Sequence, residues 1–182
     1  MITKRTMLLG LGGLICVPGA KPARGALPPI PMQRHEQAMR LAIEQGRKNA
    51  YYPYGAVIVK AATGEPVAAG VNDARANPTL HGEIVCMNDY VKKHGNRDWE
   101  EMILYTTCEP CPMCMAALLW ARIGGVVFAS SAFSPALRSS VGDPIKLSAK
   151  EVIDAAPFHK PMLLGGVLEA ETDQMFLNRK QY

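Results

Sequence analysis

Between Arg34 and Arg179 the sequence repeatedly changes period, from short β-branched runs to longer stretches with apolar residues at helical spacing. Arg34 to Asn49 sets Met39, Ala42 and Ile43 on one helical face. Gly55–Lys60 (GAVIVK) and Pro66–Val71 then read as a hairpin around Ala62-Thr63-Gly64-Glu65. A helix from His81 to His94, a strand from Met102 to Thr107, a helix from Cys111 to Ile123 and a strand from Val126 to Ala129 follow. After a loop rich in Ser and Pro come a weak helix from Ser148 to Ala155, a strand from Met162 to Val167 and a helix from Ala170 to Arg179. Such alternation predicts an α/β domain with a mostly parallel sheet covered on both faces.

The 182 residues suffice for one well-cored domain, and 48% hydrophobic with 20% charged residues excludes a disordered chain. Five Cys are too few for a disulfide framework, and no apolar run reaches the roughly 18 residues of a membrane-spanning helix. The net charge of +4 is misleading, because Lys4, Arg5, Lys21 and Arg24 supply all of it and residues 1–25 contain no acid. That segment reads as a secretory signal: a basic start, an apolar Gly-rich stretch from Met7 to Val17, and Ala23-Arg24-Gly25 as a cleavage site. Thr3-Lys4-Arg5-Thr6-Met7-Leu8-Leu9 resembles a twin-arginine export signal with Lys in place of the first Arg. Bulky Ile15 before Cys16 argues against a lipid anchor. The expectation is therefore a leader over 1–25, a Pro-rich linker over 26–33 and one domain over 34–182. The mature chain would be periplasmic or secreted, with the cytoplasm as the alternative.

Two segments carry the chemistry. Pro78-Thr79-Leu80-His81-Gly82-Glu83 and Thr107-Cys108-Glu109-Pro110-Cys111-Pro112-Met113-Cys114 each leave a loop and open a helix. Cys111 and Cys114 in a first helical turn put two sulfurs on one side, where the helix N-terminus favours thiolate. His81 completes a set of three ligands, which leaves zinc a fourth position for water, the arrangement of a catalytic site. Glu83, two residues on, reaches that water without being a ligand. Cys-x-x-Cys alone fits a redox pair, and a lone His fits a core partner. Together, His-x-Glu followed by Pro-Cys-x-x-Cys is the signature of zinc deaminases, with the Glu as general acid and base. Cys108, at a strand end, and Cys86 read as buried inert thiols.

With those motifs in place, the chain from Arg34 onward resembles the cytidine-deaminase-like superfamily. Met102 to Ala129 (MILYTTCEPCPMCMAALLWARIGGVVFA) is especially similar to the small zinc guanine deaminases, and tRNA adenosine deaminases and free-base cytosine deaminases share the core. The resemblance implies a three-layer α/β/α sandwich around a five-stranded sheet, a homodimer, zinc on His81, Cys111 and Cys114, and Glu83 as proton shuttle. It also implies that Asn72 hydrogen-bonds the base, that Trp120 lies near a purine and that the terminal Tyr182 closes over the substrate. The same three residues have alternative readings as a turn former, a core aromatic and a frayed end. Backbone amides from Glu109 to Cys111 are further candidates to hold the base.

The expected activity is zinc-dependent deamination of a small-molecule nucleobase, guanine to xanthine and ammonia, with cytosine or another base or nucleoside as the alternative. A tRNA deaminase would need a basic surface, and the processed chain is neutral. A zinc or thiol-redox binding module has no use for Glu83. Neither nucleic acid nor a stable membrane anchor is expected as a partner.

Overall fold

A computed structural model describes residues 27, 29–141 and 144–181. The expected leader and Tyr182 lie outside the described residues. The elements are α1 (Met32–Gly46), β1 (Gly55–Lys60), β2 (Pro66–Val71), α2 (Gly82–His94), β3 (Met102–Cys108), α3 (Pro112–Ala121), β4 (Gly125–Ser130), α4 (Pro135–Val141), α5 (Ala149–Ala155), β5 (Met162–Leu164) and α6 (Glu169–Leu177). The sheet order is β2-β1-β3-β4-β5. Strand β1 runs antiparallel to both neighbours, and β3, β4 and β5 run parallel. Four strands therefore share one direction and β1 alone opposes them. The sheet is mixed, mostly but not fully parallel.

Alternation along the strands divides the core. Ala56, Ile58, Leu104 and Val126 pack with Cys86 and Tyr90 of α2, Met115 and Leu118 of α3 and Ile153 of α5. Val57, Val59, Ile103, Tyr105 and Val127 face the other way, onto Met39, Ala42 and Ile43 of α1. Met39 and Ile43 are almost fully buried there, and each contributes about 1.5–3 kcal/mol by leaving water. The expected α/β/α sandwich is the architecture found.

Several boundaries differ from the periodicity for local reasons. Helix α1 begins at Met32, inside the expected linker, directly after an extended Pro31, and Leu27 and Ile30 already pack on the α1 side of the core. Helix α3 stops at Ala121 because Arg122 takes a left-handed φ of 60°. Strand β5 ends at Leu164, ahead of Gly166 with φ 83°. Part of the Ser/Pro-rich stretch expected as loop is helix α4. The start of α5 is secured by a reciprocal Ser148–Glu151 capping box.

Because β2 and β3 point the same way, the turns that leave their C-terminal ends open on one edge of the sheet. The entry to antiparallel β1, at Tyr54, lies on that edge too, as does the exit of β4 at Ser131. Two glycines let α2 close down on this edge. A Cβ on Gly70 would sit 2.3 Å from the Cys86 nitrogen, and one on Gly82 would sit 2.6 Å from the Tyr54 carbonyl oxygen.

Candidate active site

His81 caps α2 in an extended conformation and Cys111 does the same for α3, with Pro112 at the first helical position. The two helix starts meet at the sheet edge. Nδ1 of His81 lies 3.5 Å from Sγ of Cys111 and 3.6 Å from Sγ of Cys114, and all three ligand atoms lie within 4.8 Å of one another. A nitrogen and a sulfur bound to tetrahedral zinc stand about 3.5 Å apart, given the usual bond lengths, so the three side chains already hold the spacing that the ion requires. Their protonation fits as well. Hydrogen bonds from Cys114 first and His81 second pull the Cys111 thiol down to about 4, while Cys114, as the donor in that pair, is pushed up. The hydrogen bond with Cys111 raises His81. The cluster thus favours a thiolate at Cys111, and binding a metal there is coupled to loss of protons from the ligands.

Glu83 is 5% exposed. The hydroxyl of Thr106, on β3, donates to its Oε1 at 3.3 Å. Burial pushes its carboxyl above the usual range, as suits a group that must both take up and give back a proton near neutral pH. Glu83 is not one of the three clustered ligands. The two buried thiols outside the cluster, Cys86 and Cys108, are pushed up by burial, and Cys108 donates toward the Glu109 carbonyl at 3.5 Å rather than joining the cluster.

A cavity of about 430 Å³ opens over these groups, lined by His81, Glu83 and Cys111 on its floor. Tyr52, Tyr54 and Asn72 also line it, and Ala132, Leu137, Val141, Pro144 and Ile145, which follow β4, form a further wall. No Lys or Arg lines it among the described residues. Tyr54 stacks on Phe176 with ring centroids 4.9 Å apart, and burial raises its hydroxyl. Phe176, Cys108 and Leu137 form a small apolar cluster against which Tyr54 and Ala132 pack. Beside Tyr52, Arg179 donates to the Ser140 carbonyl from Nε at 3.0 Å and to the Tyr51 carbonyl from Nη1 at 3.0 Å. Its guanidinium also lies 6.0 Å from the Tyr52 ring centroid.

The structure brings His81, Glu83, Cys111 and Asn72 to one cavity, with Cys114 buried beneath it next to His81. Asn72 lines the cavity, and its Oδ1 accepts from the Ala74 N–H at 3.1 Å in a turn. Trp120 is placed elsewhere. It is 75% exposed and stacks on Phe158 at 4.7 Å, because the register of α3 that turns Cys114, Met115 and Leu118 inward turns Trp120 out. Within one chain it is neither core nor part of the cavity. Of the candidate amides, that of Glu109 donates to the Ser130 carbonyl at 2.8 Å and Pro110 has none, so Cys111 N–H is the one left to face a ligand. Sequence reasoning missed Tyr52, Tyr54 and the wall. A readable signal was Tyr54 itself, directly before Gly55, since the residue preceding an antiparallel β1 must emerge at the edge where β2 and β3 end.

Residues 32–130 match a protein family described as the cytidine and deoxycytidylate deaminase zinc-binding region. The chain is 32% identical over 154 residues to the guanine deaminase of Bacillus subtilis, covering 81% of this chain and 96% of that protein. It is also 32% identical over 149 residues to the tRNA-specific adenosine deaminase of the same organism, covering 79% and 87%. In fold it is similar to a guanine deaminase from Nitrosomonas europaea, with a TM-score of 0.66 at 20% identity over 86% of this chain and 96% of that one.

Proposed function

Because the chain belongs to the cytidine and deoxycytidylate deaminase zinc-binding family, we propose that it is a zinc-dependent hydrolase that deaminates a free nucleobase, guanine to xanthine and ammonia. The observation that carries this reading is Glu83, buried beside the His81, Cys111 and Cys114 cluster inside one cavity. The 32% identity to a guanine deaminase, along 96% of that protein's length, supports guanine over other bases. A largely apolar cavity with no Lys or Arg in its lining among the described residues suits a neutral ring better than a nucleotide, which would need a cationic anchor for its phosphate.

His81, Cys111 and Cys114 would hold the zinc, which would supply a water nucleophile activated near neutral pH. Thr106 fixes Oε1 of Glu83, leaving Oε2 to take the water's proton and hand it to the departing amine. Tyr54 and Tyr52 offer ring faces to the base, and Asn72 offers its amide to the ring edge. The wall of Ala132, Leu137, Val141, Pro144 and Ile145 excludes water from the reacting carbon. The test is ammonia release by purified, zinc-loaded protein from guanine, adenine, cytosine, their nucleosides and tRNA. Turnover of guanine above the others is expected. Turnover of tRNA or cytosine instead would replace the substrate assignment.

The reading extends to assembly and location. Helix α3 has no polar residue from Pro112 to Ala121, yet its outer face presents Met113 and Trp120 to solvent, with Phe158 stacked alongside. A helix apolar all round is covered on all sides, and a second copy of the chain is the cover, making a homodimer. Trp120→Ser is expected to yield monomer in sedimentation equilibrium with kcat/KM within about threefold of wild type. Residues 1–25, with Lys4 and Arg5 ahead of an apolar stretch, act as an export leader. Recovery of a shortened chain outside the cytoplasm is the expected result of fractionation, and an intact N-terminus found only inside would refute it.

A further inference from the structure

One carboxylate outside the proton-transfer machinery gathers partners from two distant stretches of the chain. Oε2 of Glu109 accepts from the Ser131 hydroxyl at 3.0 Å and from the Ala132 N–H at 3.2 Å. Its Oε1 accepts from the Ala149 N–H at 2.9 Å. All three donors are neutral, and Glu109 is 8% exposed. Burying a carboxylate without a cation is unfavourable, and a chain that needed only packing here would place an apolar residue. The donors also bracket one particular segment. Ser131 and Ala132 begin the excursion between β4 and α5, and Ala149 ends it. That excursion bears the cavity wall, while Glu109 itself lies two residues before Cys111.

We propose that Glu109 is a positioning residue, whose carboxylate clasps Ser131 and Ala132 just after β4, and Ala149 at the start of α5, to the metal-ligating turn and so sets the width of the cavity between wall and reacting centre. The proposal rests on the reading that this cavity binds a nucleobase. A carboxylate suits the task because it is acceptor-only, with room for three donors on two oxygens. An amide in its place would turn an N–H toward one of the N–H or O–H donors and release one end of the excursion. The floor would stay intact, since Cys111 and Cys114 are held by β3 and α3. Wall and floor would then move independently, and the first quantity to suffer is ground-state binding of the base.

The experiment compares zinc-loaded wild type, Glu109→Gln and Ser131→Ala, each as the full chain. Zinc per chain, kcat and KM for the base that wild type turns over best, melting temperature and segment-resolved amide exchange are measured. For Glu109→Gln, zinc content is expected to be unchanged, with KM raised at least about fivefold and kcat within about threefold. Exchange over 131–149 is expected to quicken at least about tenfold while that of 112–121 stays put. Ser131→Ala, which removes one donor and leaves the carboxylate, is expected to raise KM about twofold. A lowered melting temperature with unchanged KM would reduce Glu109 to a structural residue and overturn the proposal, as would loss of zinc with KM intact. If Glu109→Gln fails to fold, Ser131→Ala decides: an unchanged KM refutes the clasp. If wild type deaminates no base, the functional reading fails by itself, and the exchange contrast still decides whether Glu109 holds the wall.

Discussion

The floor and the wall of the cavity are built by different rules. His81 and Cys111 stand at the starts of helices that follow two strands of one direction, so their separation is set by the sheet and by the close packing at Gly70 and Gly82. Ala132, Leu137 and Val141 ride on an excursion that leaves the sheet after Ser130, carries the short helix α4 and reaches α5 at Ala149. Side chains fasten it: Glu109 at both ends and Arg179 near the tip through the Ser140 carbonyl. Chemistry therefore sits on backbone geometry that few substitutions can change, and selectivity sits on hydrogen bonds that single substitutions remove. A fold organised this way keeps its reaction while its substrate drifts.

The sharpest way to break the comparison is to strike the floor without moving it. Glu83→Ala is expected to keep one zinc per chain and the wild-type KM within a few-fold, while kcat falls by about 10²–10⁴. Elemental analysis with steady-state rates checks this, and an active variant would show that the floor does not carry the proton transfer. Next in size is Gly82→Ala. The added Cβ would lie 2.6 Å from the Tyr54 carbonyl oxygen, which forces the start of α2 and both His81 and Glu83 away from Cys111. A loss of roughly 10²-fold in kcat is expected for a displacement on the order of 1 Å, together with a lower melting temperature. Near-normal kinetics would mean that the floor is more compliant than the wall. The smallest effect belongs to the wall. Arg179→Gln removes the brace between Ser140, Tyr51 and the Tyr52 ring, and KM is expected to rise about threefold to tenfold with kcat nearly unchanged. A fall in kcat instead would place the chain end in the chemistry.

What could be read in the sequence follows the same division. The ligands and Glu83 fall in two stretches of a few residues, each at a helix start, so local spacing was enough to bring them together. The hairpin and strands β3 and β4 were legible because Val57, Val59, Ile103 and Val127 alternate with residues facing the other helix layer. Helix α4 was not, because only Ala136 and Leu137 of its seven residues are buried, and Leu137 faces a small cluster under the cavity rather than the main core. Nothing in the segment around Glu109 announces partners 22 and 40 residues further on. The outward turn of Trp120 was equally hidden, since a helix apolar on every side has no periodicity from which to read an inner face.

The place of β1 between β2 and β3 has a topological consequence. The strands that deliver His81 and the two Cys are not neighbours, so an ion held by all three ligands ties together parts of the sheet that no backbone hydrogen bond joins directly. His81 and Cys111 are 30 residues apart, and closing a loop of that length restricts the unfolded chain by roughly 3–4 kcal/mol, on the chain-entropy argument used for disulfides. The same atom that activates water is then a cross-link. A chain that captures it early in folding has β3 registered against the β1–β2 hairpin from that moment, and a chelator loosens the sheet as well as stopping the reaction.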